Sequence, residues 1–159
     1  HLLSGVRGIV VPLRLTDQIS ISVHSGSWYA QRTCGQTCTL LGSDPFGREQ
    51  RTIEAVLIPY GLPHVHFSLI LAHELGHVWL FALHPLEREK QVEEGFCQLL
   101  SFLWLEHLQS RDASYWKEAM LNSDDAVYGD GLRAALTAIG GAGLERIVES
   151  VAAFGEFSR

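Results

Sequence analysis

An α+β fold, a small N-terminal antiparallel or mixed sheet followed by a helical region, is what the order of patterns along this chain predicts. Three observations carry that expectation. Short β-branched runs are confined to the first sixty residues. Helical patterning begins near residue 66 and continues to residue 154. The two kinds of segment do not alternate, as they would in a chain of βαβ units. The 159 residues form one domain of ordinary size, expected to be sheet-rich over about 1–62 and helical over about 63–159.

In chain order, "GIVVPLRL" and "ISISVHS" are short and β-branched, the second with apolar alternation, and predict strands. Residues 30–50 collect Gly, Cys, Thr, Ser, Asp and Pro and predict a loop. "RTIEAVLIPYG" predicts a third strand, closed by the turn-forming "YGLP". Helices are expected near 66–83, 90–109, 113–121, 129–139 and 143–154, with "GGAG" separating the last two. The chain contains neither an internal repeat nor a low-complexity segment.

Composition narrows the function classes. Hydrophobic residues at 47% and charged residues at 19% describe a globular chain rather than a disordered one. A formal net charge of -6 argues against a nucleic-acid partner. No apolar run is expected to reach the roughly 18 residues of a membrane span, so no membrane partner is expected. Nothing resembles a signal peptide. The chain opens on His1 rather than Met, so a fragment or a processed product is expected. Its three cysteines, Cys34, Cys38 and Cys97, are too few for a disulfide framework and fit a reducing, cytoplasmic compartment. "CGQTC" reads most simply as two free thiols in a Gly-bearing turn, with a small disulfide or half a metal site as the sharper alternatives. Cys97 reads as a small core residue.

The chemistry concentrates in "ILAHELGHVWLFALHP", Ile70 to Pro85. An apolar helix interior excludes charge unless something compensates for burial. His73 and His77 are four residues apart, so on a helix both imidazoles face one ion, with Glu74 beside them. This is the HExxH pattern: two zinc ligands and a general base. A bound Zn²⁺ is the counter-charge that the burial requires, one ion per chain. Satisfied core histidines with a paired glutamate are the plainer alternative. His64 and His66 are expected in the loop before the helix, and His84 and His107 as ordinary surface or C-terminal-turn residues.

A catalytic zinc needs a third protein ligand. The HExxHxxGxxH extension is absent, because Leu80 and Leu83 occupy its later positions. The third ligand is then a carboxylate on the following helix, "KQVEEGFCQLLSFLWLEH". Glu94, Gln98 and Ser101 make one polar stripe there, which favours Glu94 as the ligand and gives Gln98 the role of orienting a histidine from behind. Glu93 aligns with Cys97 and Leu100 and is the alternative ligand; otherwise Glu93 and Glu106 are solvated charges. Stabilising an oxyanion calls for a further donor. His107, Tyr115 and Tyr128 are candidates, and Tyr128, directly before the turn signal "GDG", is preferred as a catalytic residue. Asp130 either caps that helix or steadies a ligand histidine.

"ILAHELGHVW", "QVEEGFCQLLSFLWLE" and "AVYGDGLRAA" resemble the peptidase domain of the plant growth-limiting, ubiquitin-activated LIM-domain metallopeptidases. The resemblance runs from about residue 53 to 157. "EEGF" also resembles the "NEGF" of gluzincin aminopeptidases, in which the Glu before Gly binds zinc, and so selects Glu94. The resemblance implies a gluzincin, zincin-like endopeptidase acting on protein or peptide substrates, with ubiquitin or ubiquitinated proteins as partners and ubiquitin-chain isopeptide hydrolysis as an alternative activity. The chain departs from the family in having no LIM ligand array and no ubiquitin-interacting motif. It also carries Leu75-Gly76 where plant members have two methionines. Two other classes compete: a catalytically weak protein-binding module on a peptidase fold, against which the intact Glu74 argues, and a structural zinc domain, which would close its site with four ligands.

Overall fold

The computed structural model describes residues 10–17, 35–43, 46, 49–83 and 88–157. It shows an α+β fold, with a small N-terminal mixed sheet followed by a multi-helix region. The chain divides at Pro63/His64 into a strand unit, Gly8–Pro63, and a unit holding the helices.

The strands are β1 (Leu13–Thr16), β2 (Gln36–Ser43) and β3 (Glu49–Pro59), in the order β1-β3-β2. β1 runs parallel to β3, pairing Leu13 with Val56, and β2 runs antiparallel to it, pairing Cys38 with Ala55. As the central strand, β3 is buried on both faces: Ala55, Val56, Leu57 and Ile58 are all in the interior. This explains its continuous apolar run. The loop expected over residues 30–50 is corrected here. "QTCTLLGS" is a strand, because Thr, Cys and Leu supply the β-forming content that the flanking Gly and Pro obscured. Cys38 therefore sits on a strand, packed against Ala55 and Leu57. "ISISVHS" and Cys34 lie outside the described residues.

The helices are α1 (His64–Leu83), α2 (Lys90–Leu108), α3 (Arg111–Leu121), α4 (Tyr128–Ala142) and α5 (Leu144–Phe154). α1 begins directly after Pro63, earlier than the sequence suggested, so His64 and His66 are in its first turn rather than in a loop. By length and composition α1 is apolar enough to cross a membrane, which corrects the expectation that no segment reaches that character. Its polar groups, however, meet side chains of α2, as those of a core helix do. α3 starts at Ser110, whose hydroxyl accepts from the Ala113 amide. α4 runs through Gly140 and Gly141, and the break falls only at Gly143, where φ is 83°.

The helical core gathers Trp79 and Leu80 of α1, Phe96, Cys97, Leu99 and Phe102 of α2, Leu132, Ala135 and Ala138 of α4, and Ile147, Val148 and Val151 of α5. Two close crossings set its geometry. A Cβ at Gly76 would lie 2.8 Å from Cys97 Sγ, so α1 and α2 touch there. A Cβ at Gly95 would lie 2.6 Å from the Gly131 carbonyl, so α2 and α4 meet backbone to backbone. Buried Ser101 adds a hydrogen bond to the Leu69 carbonyl, 2.8 Å away, which pins α2 to α1. Gly95→Ala should therefore cost at least about 1–3 kcal/mol in chemical denaturation through overpacking. Gly140→Ala, on an exposed helical surface with no neighbour within 4 Å, should be neutral or stabilise by up to about 1 kcal/mol.

Candidate metal centre

α1 brings His73, Glu74 and His77 onto adjacent positions of one helix, with Glu74 buried. α2 crosses at Gly76 and delivers Glu93 and Glu94 against the two imidazoles. Glu94 Oε2 lies 3.1 Å from His73 Nε2 and 3.4 Å from His77 Nε2, and the two Nε2 atoms are 3.3 Å apart. These three atoms form a nearly equilateral triangle. Donors about 2.0–2.1 Å from a tetrahedral zinc ion are separated by about 3.3–3.4 Å, so the triangle has the dimensions of one coordination face. A nitrogen, nitrogen, oxygen donor set also suits zinc better than magnesium or calcium, which prefer oxygen alone.

Glu93 does something the sequence reading did not assign. Its Oε1 accepts a hydrogen bond of 2.9 Å from His77 Nδ1–H. With Nδ1 protonated, a neutral His77 would carry its lone pair on Nε2, which faces the triangle. The hydrogen bond to a histidine expected of Gln98 is made by Glu93; Gln98 is half-buried and makes no hydrogen bond to either imidazole among the described residues. The available signal was a second carboxylate directly before the ligand candidate. Its i, i+4 alignment with Cys97 pointed instead toward the core.

Cys97 also approaches. His73, His77 and Cys97 each offer a donor atom, all within 4.8 Å of one another, so this cluster is able to chelate a metal ion. The two donor sets share both histidines. The carboxylate set has the tighter edges, and Cys97 is fully buried, with burial pushing its thiol up to about 11.

The electrostatics favour a cation. Burial alone would raise the Glu94 carboxyl, but hydrogen bonds from His73 and His77 outweigh it and hold it near 2. Burial opposes the His77 imidazolium, yet hydrogen bonds with Cys97, Glu93 and Glu94 carry its pKa well above the ordinary range. A metal ion would have to displace a proton from these groups, so its affinity should fall as the pH falls.

Tyr128, the first residue of α4, tilts its ring over His73 with centroids 6.1 Å apart. Its phenol is pushed up to about 12, first by burial and then by the charge of Glu94, so it stays protonated and able to donate. Asp130 does not join the centre: its carboxylate pairs with Arg133 and is half exposed. Nor does it cap α4. Asp125 does that work, accepting from the Val127 and Tyr128 amides at 2.8 and 2.9 Å. Of the other histidines, His66 stacks on Trp116 at 4.2 Å and His107 lies beside Trp104. His84 lies outside the described residues.

The family described as DA1-like: Protein DA1 matches residues 42–123, slightly over half of the chain. The chain belongs to the DA1-like family. Its match includes His73, Glu74, His77, Glu93 and Glu94 and ends before Tyr128. Among similar proteins, LIM domain-containing protein HDR3 of Oryza sativa subsp. japonica is 27% identical over 66% of this chain and 28% of its own length. Protein DA1-related 2 of Arabidopsis thaliana is 28% identical over 66% of this chain and 26% of its own length. Protein DA1-related 7 of the same plant reaches 44% identity over 54 residues, 34% of this chain and 10% of its own. The chain thus spans 28% or less of the length of these relatives. No solved structure matches.

If Glu93 orients His77, Glu93→Ala should weaken zinc affinity by about ten- to a hundredfold, while Gln98→Ala should leave it unchanged. Competition against a chromophoric chelator measures both.

Proposed function

We propose that the chain is a zinc-dependent endopeptidase of gluzincin type that hydrolyses peptide bonds in protein substrates. The observation that carries this reading is the 3.1–3.4 Å triangle of His73, His77 and Glu94, with buried Glu74 on the same helix as the two imidazoles. His73, His77 and Glu94 would hold the ion. When bound, zinc supplies Lewis acidity, which makes water a nucleophile near neutral pH and polarises the scissile carbonyl. The rest falls to the protein's own groups. Glu74 takes the proton of the attacking water and hands it to the leaving amine. The Tyr128 phenol, kept protonated by burial and by the acidic charge around it, donates to the oxyanion that develops on the carbonyl oxygen. Glu93 keeps the His77 ring in register throughout.

Held by His73, His77 and Glu94 alone, an ion would keep a position open for the reacting group, which a structural site with four protein ligands would close. That distinguishes this reading from a structural zinc domain. Within the proposal, ubiquitin-pathway proteins are the substrate class suggested by the family resemblance.

Glu74→Gln removes the base and no ligand. Zinc content by mass spectrometry should therefore remain near one ion per chain, while turnover of a generic protein substrate falls at least about a hundredfold. Unchanged turnover would remove Glu74 from the mechanism. Tyr128→Phe should lower kcat about ten- to a thousandfold with zinc content and Tm unchanged. A mutant with normal kcat would return Tyr128 to a packing role.

A further inference from the structure

The segment between α3 and α4, residues 122–127, ends at Tyr128 and is tied down from three directions. Asp125 is the local tie: its carboxylate takes the Val127 and Tyr128 amides, and its carbonyl takes those of Gly129 and Asp130 at 2.8 and 3.1 Å. Arg133, one turn into α4, donates to the carbonyls of Leu121 and Ser123, each at 2.9 Å. The third tie comes from a different helix. Gln91 of α2 donates from Nε2 to the Ala126 carbonyl at 2.8 Å. The carbonyl of Gln91 also lies 2.7 Å from where a Cβ of Gly131 would be, so α4 seats against this same residue.

Gln91 stands three residues before Glu94, one turn up the helix that supplies both carboxylates of the centre. Asp125 and Arg133 shape the segment within its own neighbourhood. Among the described residues, the Gln91 hydrogen bond refers the position of this segment to α2, and so to His73, His77 and Glu94.

We propose that Gln91 is a positioning residue for Tyr128: by holding the Ala126 carbonyl, it sets the distance of the phenol from the metal centre. This rests on the reading of Tyr128 as the oxyanion donor. A donor must meet the developing charge within a few tenths of an ångström to be effective, and a displacement of about 1 Å forfeits much of its contribution. A single exposed hydrogen bond adds little to global stability. Its loss should therefore appear in turnover and local exchange well before it appears in unfolding.

The test uses the full chain with zinc, fluorescein-labelled casein as substrate, and the variants Gln91→Leu, Tyr128→Phe, their double mutant and Glu74→Gln. Gln91→Leu should lower kcat about tenfold, with KM and zinc content within twofold of wild type and Tm nearly unchanged. In the Tyr128→Phe background the same substitution should have no further effect, because there is no hydroxyl left to position. Hydrogen exchange should show faster exchange of the Val127 and Tyr128 amides in Gln91→Leu, with the interior of α2 unaffected. That measurement needs no turnover. Unchanged kcat in Gln91→Leu, an equal loss in the Tyr128→Phe background, or unchanged exchange at Val127 and Tyr128 would each overturn the proposal. Normal kcat in Tyr128→Phe beside an inactive Glu74→Gln would instead refute the oxyanion role, and the proposal with it, while leaving the peptidase reading intact.

Discussion

The carboxylate of Glu94, wedged between the Nε2 atoms of His73 and His77, is the contact on which the rest of the centre depends. It exists because α1 and α2 cross with almost no side chain between them. Gly76 lets the α2 backbone at Cys97 approach, and Ser101 fastens the crossing one turn further along through the Leu69 carbonyl. A Cβ at 76 would meet Cys97 Sγ at 2.8 Å, so a bulkier residue there would require Cys97 to shift. Gly95 repeats the arrangement toward α4, and it follows Glu94 directly in sequence. The acid that meets the histidines is thus flanked by the point where α4, carrying Tyr128, is seated.

Such packing has an electrostatic consequence. Glu74 is buried, Glu94 largely so, and Glu93 is partly covered, all within one small region. Burying carboxylates near one another is costly unless positive charge lies between them. Protonated imidazole can supply part of it, and the raised pKa of His77 shows that tendency. A divalent cation in the triangle supplies more and also satisfies the lone pairs directly. The features that make the site expensive to fold without an ion are therefore those that would make it selective for one, in keeping with the coupling of metal affinity to folding in small metal sites.

Much of this was legible in the sequence. The i, i+4 spacing of His73 and His77 gave the shared face, and the polar stripe on the next helix pointed to Glu94. Helix positions were readable because apolar spacing dominates there. The misreadings have local physical causes. β2 was taken for a loop because Gly35 and Gly42 bracket a run whose Thr and Leu content is strand-like. Glu93 reads from the sequence as an alternative ligand or a solvated charge, because one-residue offsets on a helix differ by 100°, and only the tertiary crossing shows that His77 Nδ1 reaches that side. The turn signal "GDG" points to Asp130 as the cap and gives no sign of Asp125. The cap fell to the residue three before the helix start, whose carboxylate can take two amides at once. Gln91 carried no sequence signal at all, since its role depends on where the Ala126 carbonyl comes to rest.

The choice between the two donor sets that share His73 and His77 is the most direct test of this account. X-ray absorption at the zinc edge of the metal-loaded protein reads the ligand shell without reference to activity. The account predicts nitrogen and oxygen neighbours alone at about 2.0–2.1 Å, with two imidazole scattering patterns. A sulfur neighbour at about 2.3 Å would place Cys97 in the shell and contradict the assignment of Glu94 as the third protein ligand.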